Sequence, residues 1–346
     1  MSLTRFLTVL VAIVVTALTV SADTLTVGYL TGGASQFGAV AIDYGVFKSL
    51  NLDVELVPFS SSPDALNALH SGKLDIAAGF GTAPPLIFIS KGDDFVFIAG
   101  HMSGGHAIVG TPELAKHFKS FKDLIGKKVA TARLYTPDVL LRGALVDNGI
   151  SYDTEGKAQV QLVEARNGPQ AWELLKSGKV DAAALVSNEV QLALAAGFKV
   201  LRWSVEILPD HPCCRVVVTR ETLNSKRPEL VRFLRAWILA ERIKRDDPTG
   251  YINSYAKVAN IDFAKAKATL FEPHTSQTAD PNTNGIVKFW DYLKSIKYID
   301  SNIDIHTHID TSLYKEALDG LRKENPKDKF YQVLEKRYTA QNTPRT

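Results

Sequence analysis

One order of chemistry occurs twice in this 346-residue chain, and it constrains the fold more than any other feature. The first copy runs over residues 65–78 and carries Leu69-His70-Ser71-Gly72-Lys73-Leu74-Asp75-Ile76 at its centre. The second runs over residues 171–184 and carries Leu175-Lys176-Ser177-Gly178-Lys179-Val180-Asp181-Ala182. Each reads as an amphipathic helix stopped by glycine, a Lys-x-Asp turn, and a strand of small buried residues. The copies stand about a hundred residues apart, too far for a solenoid repeat. They predict two similar α/β lobes.

The rest of the chain fits that plan. Thr24 to Leu30 alternates β-formers and reads as a strand, and Gln36 to Leu50 as a helix. Strands follow at Asp53–Phe59, Asp75–Phe80 and Phe95–Ala99, alternating with helices as in a mainly parallel sheet. A second set begins near Phe121 and includes strands at Val129, at Val160–Ala165 and at Val200–Ser204. The spacing predicts a first lobe made of residues 23–107 plus 211–335, with a second lobe, 108–210, inserted in it. Ser103 to His106 and Glu206 to Pro212 would be the crossovers, and two short hinges favour a clamshell that closes on a ligand. Residues 336–346 read as a frayed tail.

Residues 1–22 differ from the remainder. Arg5 is their one charge, an apolar run extends from Phe6 to Val20, and Ser21-Ala22 supplies small residues for cleavage. This is the order of a secretory signal peptide, cut after Ala22. The run is about 15 residues, short of the ~20 that cross a bilayer as a helix. Forty Lys+Arg against 37 Asp+Glu leave the chain nearly neutral, with no basic block interleaved with aromatics, which argues against nucleic acid. Two adjacent cysteines exclude a zinc ribbon and a disulfide scaffold.

These pieces, in their order, resemble the periplasmic substrate-binding proteins of ABC importers, in the NMT1/THI5-like branch. The matching residues are Thr26-Val27-Gly28-Tyr29, Tyr44-Gly45-Val46-Phe47, Asn51-Leu52-Asp53-Val54-Glu55, the two echo copies, and Asp123-Leu124 with Gly126-Lys127-Lys128-Val129. The branch contains sulfonate, taurine, nitrate and thiamine-pyrimidine binders. The resemblance implies a type II periplasmic-binding-protein clamshell and an exported, periplasmic carrier, expected to be monomeric. It further implies a small polar or heteroaromatic ligand and an ABC-transporter permease as partner. It implies no cofactor and no catalysis. The alternatives are an enzyme on the same fold, akin to the pyrimidine synthase, and a secreted sensory module. The yeast synthase of this superfamily carries a cysteine-rich run that this chain lacks.

Ligands of open α/β sheets bind beyond the C-terminal strand ends, where helix N-termini supply free N–H groups. That rule selects Gly32, Gly33 and Gln36 after the first strand. The glycines either let a ligand approach the backbone or simply turn the chain. It selects Phe80, Gly81 and Thr82 after the third strand. Phe80 either stacks on a ligand or belongs to the core, and Thr82 either caps the next helix or offers its hydroxyl. At the first crossover are Gly105 and His106, the latter a ligand contact or a structural histidine. In the second lobe are Tyr135, Thr136, Asn188 and Glu189. Glu189 either holds an amine or ring N–H, or is an ordinary acid at a helix start. Cys213 and Cys214 read first as buried thiols, then as a vicinal disulfide, and last as metal ligands with His211. His306 and His308 alternate as a strand pair would. No nucleophile elbow, zinc-protease motif or phosphate loop is present.

Overall fold

The computed structural model describes residues 23–31 and 35–343. The signal-peptide expectation, Gly32, Gly33 and the last three residues lie outside the described residues.

The strands are β1 (Asp23–Leu30), β2 (Leu52–Phe59), β3 (Ile76–Gly81), β4 (Phe95–Gly104), β5 (Ala107–Gly110) and β6 (Lys128–Ala132). They continue with β7 (Tyr152–Asp153), β8 (Val160–Ala165), β9 (Ala182–Leu185), β10 (Lys199–Trp203), β11 (Pro212–Thr219) and β12 (Thr275–Gln277). Two six-stranded sheets result, in the orders β12-β4-β11-β3-β1-β2 and β10-β5-β9-β6-β8-β7. The series β2-β1-β3-β11-β4 and β8-β6-β9-β5-β10 match strand for strand. In each, three parallel strands are followed by one antiparallel strand, and then by one that runs with the first three. The antiparallel strand is in both cases the one that has just crossed from the other sheet: β5 enters the second sheet from β4, and β11 returns to the first.

The echoed turns explain part of this symmetry. Asp75 accepts from the Thr26 backbone N–H at 2.9 Å, and Asp181 accepts from the Lys128 backbone N–H at 2.9 Å. Each aspartate ties its helix exit to the leading strand of its own sheet, β1 or β6. Gly72 (φ +71°) and Gly178 (φ +70°) supply the left-handed turn that a side chain would resist.

Both faces of the first sheet are covered by helices. The 20-residue helix Arg227–Asp246 buries Leu230, Phe233, Leu234, Trp237 and Ile238 on one face, at helical spacing. The Trp237 indole N–H donates to the Gly100 carbonyl at 3.0 Å, so the ring's polar edge is satisfied inside the core. On the other face, Val139 and Leu140 of the second lobe pack into the cluster of Leu86, Phe289 and Leu293. Tyr298 donates to the buried Asp138 carboxylate at 2.8 Å across the same boundary. Elsewhere Trp203 stacks on His274 (4.2 Å), and Gln191 reaches Glu272 (3.1 Å).

Three local expectations change. The helix expected over 36–50 is two, Gln36–Asp43 and Val46–Ser49, because Gly45 takes φ +65° between them. The expected tail is helical through Asn342. Arg337 and Asn342 are held there by the carboxylates of Glu241 and Asp280, whose burial demands partners. His306 and His308 lie in a 3₁₀ turn, Ile305–His308, not on a strand. His308 is turned to the Phe95 carbonyl (2.7 Å).

Candidate functional site

A narrow cavity lies where the two sheets face each other. Its position follows from topology, because the helices after β1, β2, β6 and β9 all start there. Their first residues, Gln36, Ser62, Thr136 and Ser187, line it, two from each lobe. Pro63 and Pro137 pre-set the first turns of two of these helices. A helix N-terminus carries unsatisfied N–H groups and about half a positive charge. Four of them converge here, and no Lys or Arg among the described residues lines the cavity.

The cavity is ringed by polar atoms without partners in the protein. Gln36 Nε2, Ser62 Oγ, His106 Nδ1, Ser187 Oγ and Thr269 Oγ1 are all buried and unbonded. Buried polar atoms are seldom left so, and a cluster of them facing one space marks a place for a hydrogen-bonding ligand.

Of the residues that sequence selected, Gln36, Gly81, His106, Tyr135, Thr136, Asn188 and Cys214 meet at the cavity. Gly81 approaches Thr136 so closely that a Cβ would stand 3.1 Å from its hydroxyl. Gly105 (φ +81°) lies behind the wall, where an added Cβ would strike Ser187 and Thr275. Phe80 is not a stacking platform. It is buried in the core, edge-on to Phe59 at 6.3 Å. Thr82 stands at the N-cap of the next helix but makes no side-chain capping bond, and its hydroxyl donates instead to the Cys213 carbonyl at 3.1 Å, stitching the end of β3 to β11. Asn167, which follows β8, caps its own helix by accepting from the Gln170 N–H.

Met102, Tyr255, Thr269, Leu270 and Gln277 also line the cavity, and sequence reasoning passed over them. Four of these five come from the C-terminal helices and the edge strand β12, where the strong charge pattern reads as solvent-facing cover. No local motif marks them.

Glu189 sits just behind the wall. It is 4% exposed, Oε2 has no partner, and its carboxyl lies against the start of the helix Gly168–Lys176. Burial lifts its pKa from 4.5 to about 7, partly opposed by a bond from its own backbone N–H. The folded chain therefore keeps a proton that the unfolded chain releases between those values. This contribution to stability is complete below about pH 4.5 and is lost as pH rises through about 7, by about 3 kcal/mol. Glu189→Gln is expected to gain about that much on wild type between about pH 4 and pH 8 in urea unfolding. An unchanged difference would contradict the burial.

Cys213 and Cys214 are free and buried. Cys213 Sγ lies 2.8 Å from His106 Nε2 and 2.8 Å from Cys214 Sγ. Burial raises the Cys213 thiol well above its ordinary value and lowers His106 to about 3. That is the reverse of the thiolate–imidazolium pair that an activated nucleophile needs.

Comparison with known proteins follows the same outline. The chain superposes on the periplasmic aliphatic sulphonate binding protein SsuA of Escherichia coli with a TM-score of 0.70 at 20% identity, over 84% of this chain and 92% of that one. The periplasmic nitrate-binding protein NrtA of Synechocystis PCC 6803 gives a TM-score of 0.73 at 14% identity, over 86% and 89%. At these identities the likeness is one of fold. A protein of Brucella abortus (strain 2308), named as a binding protein without a stated ligand, is 25% identical over 280 residues. The match covers 75% of this chain and 81% of the relative. The model of the NMT1-like family matches residues 20–260, well over half of the sequence, and the chain belongs to that family.

Proposed function

We propose that this chain is the exported solute-binding component of an ABC importer. It captures a small polar or heteroaromatic molecule between its lobes and hands it to the permease. The observation that supports this most is the convergence of four helix N-termini, two per lobe, on one cavity rimmed by unbonded polar atoms. A ligand there touches both lobes at once, so its contacts exist in the closed arrangement and not in an open one. That differential shifts the population toward closure, which a permease can read.

The site chemistry narrows the ligand. Four N-termini favour an electronegative, oxygen-rich edge, while no Lys or Arg among the described residues lines the cavity to neutralise a full negative charge. The two together suit a neutral or zwitterionic nitrogenous molecule better than a bare anion. Binding without turnover fits the state of Cys213 and His106, and both relatives and fold neighbours carry names of binding proteins.

The test is a thermal-shift panel of nitrate, alkanesulfonates, amino sulfonates and aminopyrimidines. A true ligand at about 100 times its dissociation constant stabilises the fold by about 2.7 kcal/mol. Ser187→Trp and Ser62→Trp fill the cavity from opposite lobes, and each is expected to abolish the shift while leaving the unliganded melting curve cooperative. A ligand whose shift survives both variants binds elsewhere and overturns the assignment.

A further inference from the structure

Adjacent residues of a regular strand point to opposite faces, so neighbouring cysteine sulfurs do not meet. In β11 they do. Its pairing with β4 slips register on both sides of Cys214, between Pro212 and Cys214 and between Cys214 and Arg215. Bulges of this kind re-aim side chains beside functional sites. The result is a sulfur cluster of Met102, Cys213 and Cys214, with the two thiol sulfurs 2.8 Å apart and His106 Nε2 on the inner one. Cys214, Met102 and His106 line the cavity, and Cys213 stands behind them. His106 Nδ1 is buried and unbonded.

We propose that Cys213 and Cys214 form a reversible dithiol–disulfide site in the cavity wall, with a small organic disulfide as oxidant. Cys214, on the cavity side, attacks the disulfide R–S–S–R. A Cys214–S–S–R bond forms, the R–S–S–R bond breaks, and one RSH leaves with the Cys214 proton. The Cys213 sulfur then attacks Cys214. Its proton passes to the departing RS⁻, giving the second RSH. Two protein thiols are oxidised and one external disulfide is reduced to two thiols, so atoms and electrons balance. Burial of Cys213 makes the second step slow in the closed state and keeps the pair reduced until an oxidant enters the cleft. The proposal rests on the geometry of β11 and the cavity, not on the identity of the transported molecule.

The test uses the full chain and no solute. Protein is treated with 2-hydroxyethyl disulfide, denatured in an alkylating agent, and weighed intact. The expected product has lost about two mass units, the two thiol hydrogens, carries no alkyl group, and regains two alkylatable thiols after reduction. Cys213→Ser has no resolving thiol and is expected to keep a hydroxyethylthio adduct on Cys214. Wild-type protein that retains two alkylatable thiols, or that stops at a persistent adduct, overturns the proposal. An unmodified Cys214 in the Cys213→Ser variant overturns the route through the cavity. None of these readings depends on whether a solute binds.

Discussion

Acidification from about pH 7 to about pH 4 is expected to unfold this protein, and three buried histidines are the cause. Burial holds His101 and His106 down to about 3 and His211 down to about 4, against an ordinary 6.5. Below about pH 6.5 the unfolded chain takes up these protons while the folded chain refuses them. The stability they contribute is whole above that pH and drains as pH falls toward the folded values, by roughly 3 kcal/mol per histidine at about pH 4. Glu189 works in the opposite sense and returns about 3 kcal/mol over the same descent. Over these four groups the balance is roughly 6 kcal/mol lost, comparable with the whole stability of a typical domain, and the buried Glu241 and Asp280, which burial also pushes up, act in the same sense as Glu189. His101 isolates the effect. Its ring stacks on Phe37 at 4.9 Å, meets Trp237 edge-on at 5.2 Å, and neither nitrogen has a partner. His101→Phe therefore loses no hydrogen bond and should flatten the acid limb. Urea unfolding is expected to show the variant gaining about 2 kcal/mol on wild type between about pH 7 and pH 5. Parallel curves would contradict it.

Removal of the Arg215 guanidinium is expected to cost about 3–5 kcal/mol, the range for breaking a buried ionic cluster. Arg215 is wholly buried in β11, and Nη1 donates to the carbonyls of Met102 (3.0 Å) and Cys214 (2.7 Å), while Nη2 donates to Ser103 Oγ (3.2 Å). Its charge also steadies the buried Asp280 carboxyl, which burial alone pushes up. Arg215→Met fills similar space with none of those donors and leaves the acceptors and Asp280 uncompensated. Denaturant midpoints at neutral pH check this, and a loss below about 1 kcal/mol would show the cluster to be dispensable. In the fold Arg215 is an internal strut that binds β11 to β4 at the bulge.

What was legible in the sequence was whatever had a local chemical signature. The echoed Gly and Asp are such signatures, since each copy performs one backbone task, the glycine turning and the aspartate tying its helix exit to β1 or β6. The loops after strands were legible for the same reason, and they yielded Gln36, Thr136 and Asn188, the neighbour of Ser187, but not Ser62. Features made by distant pairing were not legible. Thr82 bonds a carbonyl 131 residues away in sequence. Tyr255 and Gln277 reach the cavity through helix packing and an edge strand with no motif. The meeting of two adjacent thiols depends on a register slip against β4 that composition does not encode.

The central claim is that a small molecule is held between the two lobes, and native mass spectrometry of protein purified from its host tests it most directly. Wild-type protein is expected to carry a single small molecule per chain, released on denaturation, and Ser187→Trp is expected to carry none. A wild-type chain that stays bare both from its host and across the ligand panel, or a Ser187→Trp chain that keeps the same adduct, would contradict the account.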